Sequence, residues 1–238
     1  MTKKVVTGRS SPAVAPARQR AVVLEFDHLV VHVRELTHAA MTRVLGRHQV
    51  PLTPGLFLRL CAGLHRAEAL ADIRFPGGRV TSLPALMAEM ETEVARRMVT
   101  PEPTPDALTV KLVKTLNEKS VKVGVLTSLE AGIVGPALQA MGLNETRTSI
   151  VTVSAEELYM PSAESWGKFP PLLAVAPSVC TAIATSAESC RAALAARMRC
   201  VAVPDKHTAF QDFSGADGVI EGTGRAALTE LFETLGLT

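Results

Sequence analysis

Paired cysteines, long apolar runs and clustered aromatics are all missing from this chain of 238 residues. Its four cysteines, Cys61, Cys180, Cys190 and Cys200, form no Cys-x-x-Cys pair and have no histidine at metal-ligand spacing. That excludes a disulfide framework and fits small buried thiols in a reducing, cytoplasmic setting. No apolar run reaches the roughly 18 residues that a membrane span requires, so the chain is not expected to cross a bilayer. Aromatic residues make up only 4% of the sequence and do not alternate with basic ones, which argues against nucleic-acid binding.

Acids are absent from residues 1–20, where Lys3, Lys4, Arg9, Arg18 and Arg20 stand alone. The rest of the chain then carries 20 of the 25 basic residues against all 23 acidic ones, a slight negative excess. A Ser-, Pro- and Ala-rich basic opening without periodicity reads as a flexible tail. An organelle-targeting or anion-binding arm, or a contact for a protein partner, is the alternative.

What is present begins with the run 21–33, AVVLEFDHLVVHV. It reads as a first strand, buried on both faces, that delivers Glu25 and Asp27 to its solvent-facing C-terminal edge, where open α/β sheets keep their chemistry. A helix is expected over 34–46, and the pattern stays helical to about residue 105, with apolar residues three and four apart. The segment PEPTPD then marks a hinge, and a helix over 107–118 starts after Asp106 as N-cap. From residue 121 strands and helices alternate: VKVGVLTS, IVGPALQAMGL, SIVTVS, CTAIATS, AESCRAALAARM, CVAVP, ADGVI and GRAALTELFETLGL. Such alternation implies right-handed crossovers and a parallel, doubly wound sheet. The expected division is a basic tail over 1–20, an α/β core over 21–36 and 106–238, and an all-helical insertion over 37–105.

The order of these fragments resembles the haloacid dehalogenase superfamily of phosphohydrolases and phosphomutases, in the subgroup with a helical cap that includes β-phosphoglucomutase and phosphoglycolate phosphatase. The stretch GLHRAEAL, residues 63–70, is similar to the Gly-x-Ser-Arg-x-x-Ser-Leu segment of β-phosphoglucomutase-like caps. VAPSVC followed by AALAARMRCVAVP looks like the surroundings of the family's fourth motif. The resemblance implies a Rossmann-like α/β core with an inserted helical cap. It also implies phosphoryl transfer, in which one Asp of an Asp-x-Asp motif attacks phosphorus and the second exchanges a proton, with Mg²⁺ neutralising the phosphoryl oxygens.

By this resemblance the nucleophile's position is Glu25 and the acid/base position is Asp27. The extra methylene of Glu carries its oxygens roughly 1.5 Å further from the backbone, in a kind of site where about 1 Å of misplacement can cost roughly 10²-fold. His28 stands where the family has a glycine, and it reads either as a packed side chain or as a substituted catalytic group. Thr127, with Ser128 beside it, matches the phosphate-binding hydroxyl. Lys168 is the match for the lysine of the third motif, and Arg66 for the cap arginine that would meet a phosphate from above. In the fourth motif both metal-binding acids are gone: Ala184 and Thr185 precede Ser186. Glu25, with Asp27 nearby, is then the one remaining side-chain ligand for Mg²⁺, and metal affinity is expected to fall sharply. A small phosphorylated ligand or an inorganic anion is the expected partner. The function expected is that of a catalytically impaired phosphatase-like binder, and the alternative is an active phosphohydrolase or phosphomutase using Glu25.

Overall fold

In the computed structural model the described residues are 20–61, 66–76, 82–98, 105, 107–143, 148–154, 157–158, 160–222 and 224–238. The tail 1–19, the hinge around 99–104 and the N-cap position 106 lie outside them.

Six parallel strands form one sheet in the order β3-β2-β1-β4-β5-β6: β1 (Ala21–Glu25), β2 (Lys122–Thr127), β3 (Thr148–Thr152), β4 (Cys180–Ala184), β5 (Arg199–Ala202) and β6 (Gly218–Val219). The chain winds outward from β1 in one direction through β2 and β3, then returns to lay β4, β5 and β6 on the other side. The reversal falls between β1 and β4, which pair with Leu24 opposite Ile183. A doubly wound sheet opens a crevice at such a switch point, outside the carboxyl ends of its strands.

Alternation along β1 explains why it is central. Val22 and Leu24 pack into one apolar cluster with Leu112, Leu116 and Leu138, while Ala21 and Val23 face the other with Trp166, Phe169 and Ala193. Each such aliphatic side chain, once buried, contributes about 1.5–3 kcal/mol. Gly124 in β2 allows the second layer to close, because a Cβ there would stand 2.6 Å from the Phe169 ring and 3.0 Å from Val23. All four cysteines are buried.

The first strand is shorter than its apolar run suggests. It ends at Glu25, and residues 26–29 coil into a helical turn, α1 (Phe26–Leu29). Phe26, Leu29 and Val30 all enter the same cluster, and that spacing of three and four needs a helical turn rather than an alternating strand. Helices α2 (Val33–Arg47), α3 (Pro54–Cys61), α4 (Arg66–Ala71) and α5 (Leu83–Met98) follow. They enclose an apolar cluster of their own, which includes Met41, Leu45, Phe57, Leu60, Leu70 and Leu86. Helices α6 (Ala107–Glu118) and α7 (Ala131–Ala140) return the chain to the sheet. Between β3 and β4 the described residues include the short helices Ala163–Gly167 and Phe169–Leu172 and a 3-10 turn at Pro177–Val179, so the crossover is abbreviated as its length requires. No helix among the described residues is long and apolar enough to cross a membrane.

Candidate functional site

Strands β1, β2 and β4 end side by side, and their last residues make the site. Glu25 and Asp27 are both 0% exposed. The sequence placed them at a solvent-facing edge, but both are enclosed, Glu25 against the end of β4 and Asp27 against the end of β2.

Glu25 Oε2 accepts a hydrogen bond of 2.6 Å from the Thr185 N–H. Its other oxygen, Oε1, is buried without a hydrogen-bond partner among the described residues, and His28 Nε2 stands 4.0 Å from it. Burial raises the Glu25 carboxyl above the ordinary carboxylate range, against the opposing pull of Arg34 and of the Thr185 N–H. Burial likewise drives the His28 imidazole well below its ordinary value, with the charges of Arg34 and His32 acting in the same direction. His28 is therefore neutral at physiological pH.

Asp27 is held from β2. Thr127 Oγ1 donates to its Oδ1, while the Ser128 N–H at 2.8 Å and the Ser128 hydroxyl at 2.6 Å donate to its Oδ2. Burial raises this carboxyl too, and the three hydrogen bonds offset it only in part. Three donors converging on one carboxylate make an anion cradle, and Asp27 itself fills it.

The strongest cation in the site is Arg34, from the first turn of α2. His32, just before that helix, adopts a left-handed conformation with φ 55°, unusual for a side chain with a Cβ, and there the chain turns from the loop into α2. The Arg34 side chain is only 3% exposed. Its guanidinium donates to Thr185 Oγ1 at 3.1 Å and to Asp205 Oδ2. Asp205 is brought there by the loop after β5, which is stitched to the end of β4: Thr208 Oγ1 donates to the Thr185 carbonyl at 2.7 Å, and the Val203 N–H to the Ala184 carbonyl at 2.8 Å. A cavity of about 630 Å³ opens beside this loop, lined in part by His28, His32, Thr185, Asp205 and His207.

Of the residues singled out in the sequence, Glu25, Asp27, Thr127, Ser128 and Thr185 come together. Ala184 ends β4 with its methyl in the second apolar cluster, so of the two fourth-motif positions only Thr185 reaches Glu25. Lys168 is exposed; the Phe169 that follows packs against mid-strand Gly124, and Lys122 at the start of β2 donates to the Leu173 carbonyl. From 169 to 173 the chain therefore runs away from the Thr127 end of β2, with Lys168 before it. Residues 148–167 contain no Lys or Arg at all, so that crossover supplies no cation before Lys168. Arg66 opens α4, and its side chain lies outside the described residues. Sequence reasoning missed Arg34 and Asp205; the only signal was a base directly following the apolar run 21–33.

Acids and hydroxyls at the switch point of a parallel sheet stand where doubly wound α/β proteins bind their ligands. A sequence profile described as "Haloacid dehalogenase-like hydrolase" matches residues 22–203, and the chain belongs to that family. It is 24% identical over 219 residues to the Bacillus subtilis YhcW protein, which carries a provisional phosphatase name, with 91% of this chain and 97% of that one covered. Two solved structures share the fold. One is a haloacid dehalogenase family hydrolase from Deinococcus radiodurans with bound phosphate and sodium, at TM-score 0.68, 19% identity, and 93% and 98% of the two chains. The other is a mutant of CbbY from Rhodobacter sphaeroides in complex with xylulose-1,5-bisphosphate, at TM-score 0.59, 19% identity, and 88% and 99%.

Proposed function

We propose that this protein has an impaired Mg²⁺-dependent phosphoryl-transfer centre and acts by binding a small phosphate-bearing molecule, with residues 37–105 as a helical cap on a core of 21–36 and 106–238. The observation that carries the reading is Arg34. In the family scheme a metal ion stands between the nucleophile and the acid of the fourth motif. Here Thr185 holds that acid's position, and its hydroxyl accepts from a buried guanidinium whose charge acts on Glu25.

Magnesium needs a near-octahedral shell of oxygens at about 2.1 Å and accepts few substitutes for carboxylate and water. The donors on hand are the buried Glu25 carboxylate, an Asp27 carboxylate already taken up by Thr127 and Ser128, an Asp205 carboxylate paired with Arg34, and the Thr185 hydroxyl engaged by that same cation. A guanidinium is permanently charged and offers N–H donors only, so it repels a second cation and ligates none. This donor set does not fit Mg²⁺. Arg34 neutralises Glu25 in part, yet it provides no open position for a phosphoryl oxygen or an attacking water. Glu25 is weakened further as a nucleophile, because burial favours its protonated form.

Binding is a different matter. Thr127 Oγ1, the Ser128 N–H and the Ser128 hydroxyl are donors suited to a phosphate oxygen, and a ligand reaches them by competing with the Asp27 carboxylate. Two structurally similar proteins hold phosphate, which supports a phosphate-bearing ligand here. The second reading, a working phosphohydrolase, rests on Glu25 Oε1, whose lone pairs no hydrogen bond consumes among the described residues.

Hydrolysis of an aryl phosphate separates the two. The expected result is a rate that Mg²⁺ does not raise and that Glu25→Ala leaves unchanged. Mg²⁺-dependent turnover abolished by Glu25→Ala would overturn the impaired-centre reading.

A further inference from the structure

We propose that Glu35, His38 and His207 form a binding site for a divalent transition-metal ion of the zinc type. Glu35 and His207 line the same cavity as Thr185 and Asp205, but the test below reads ion binding rather than hydrolysis, so it fails separately from the phosphatase reading.

Helix α2 supplies Glu35 and His38 at a spacing of three, which puts both on one face a single turn apart. The loop after β5 supplies His207, a residue 172 positions from Glu35 in the chain. His207 Nε2 lies 2.9 Å from Glu35 Oε2, and one ligand atom from each of the three residues falls within 4.8 Å of the others. The two imidazoles stand with centroids 4.5 Å apart, and both rest against Phe57, at 4.9 and 5.0 Å. An apolar ring behind two imidazoles limits their rotation. The His207 main chain is held in turn, its backbone N–H donating to Asp205 Oδ1 at 2.8 Å.

The donor types choose the ion. Two imidazole nitrogens and one carboxylate suit zinc and its transition-metal neighbours, whereas Mg²⁺ and Ca²⁺ seek oxygen alone. Ligand atoms of a tetrahedral zinc stand roughly 3.3 Å apart, given bonds of about 2.0–2.1 Å, so small side-chain rotations close the set. Three protein ligands leave one position open, and Glu35 and His207 line the cavity of about 630 Å³ where a water or a ligand atom would complete it.

Lys206 Nζ, 2.7 Å from Glu35 Oε2, is the competitor for the carboxylate. It is 68% exposed on a flexible stem, so it can swing into solvent when a divalent ion arrives. The sequence offered no metal spacing, because only one helical turn and a distant loop residue make the set.

The test is calorimetric titration of Zn²⁺ into the metal-free full-length protein, with His38→Ala, His207→Ala and, as a control at the far end of α2, His48→Ala. The expected result is one ion per chain, at least a tenfold loss of affinity in either of the first two variants, and no change in the control. Co²⁺ should give the visible bands of a four-coordinate nitrogen and oxygen site. Zn²⁺ should also raise the melting temperature of the wild type and of the control but not of the two ligand variants, which separates lost binding from lost folding. The proposal is overturned if no saturable binding occurs, if both ligand variants bind as the wild type does, or if Co²⁺ shows thiolate charge-transfer absorption.

Discussion

Arg34→Ala is expected to lower the unfolding free energy by about 3–5 kcal/mol, the range for breaking a buried ion pair from one side. The size follows from what is left behind. Asp205, whose side chain is 33% exposed, can recover some water. Glu25, fully buried, cannot: among the described residues its Oε1 has no hydrogen-bond partner, and the guanidinium charge that acts on it would be gone. Thr185 Oγ1 loses its donor as well. Arg34→Met, which keeps the packed stem, should recover only the packing share of that loss. Denaturant unfolding of the two variants measures it. A loss below about 1 kcal/mol in Arg34→Ala, the scale of a surface pair, would mean that the guanidinium does not hold the site together.

The second large effect runs toward activity. Combining Glu25→Asp, Arg34→Ala and Thr185→Asp withdraws the built-in cation, shortens the nucleophile and places a carboxylate where the fourth motif faces it. Metal assistance is worth several kcal/mol of transition-state stabilisation, and each 1.36 kcal/mol is tenfold in rate. Mg²⁺-dependent hydrolysis of an aryl phosphate should therefore rise by roughly 10²-fold or more over the wild type. Mg²⁺ should also raise the melting temperature of the triple variant and leave that of the wild type unchanged. A triple variant that Mg²⁺ stabilises but that stays inactive would confine the damage to other positions. One that Mg²⁺ does not stabilise would refute the assignment of Thr185 as the metal position.

Much of this arrangement was legible in the residues alone. Alternating strands and helices from residue 121 onward dictated a parallel sheet, and acids at the end of a doubly buried strand pointed to the edge where Glu25 meets Thr185. Thr127 and Thr185 were legible because each ends an apolar strand run, so its place along the sheet follows from the strand's length. Arg34 and Asp205 were not. A base in the first turn of a helix ordinarily points to solvent, and what turns it inward is Asp205, 171 residues later in the chain. The extent of β1 was misjudged because apolar residues at spacings of three and four serve a helical turn as well as they continue a buried strand.

Manganese, a hard divalent ion that scatters anomalously, tests the account most directly. Crystals of the wild-type protein grown with Mn²⁺ should show the Arg34 guanidinium on Thr185 and Asp205 and no anomalous peak at Glu25, whatever occurs at Glu35, His38 and His207. A peak coordinated by Glu25 Oε1, with Arg34 displaced from Thr185, would contradict it.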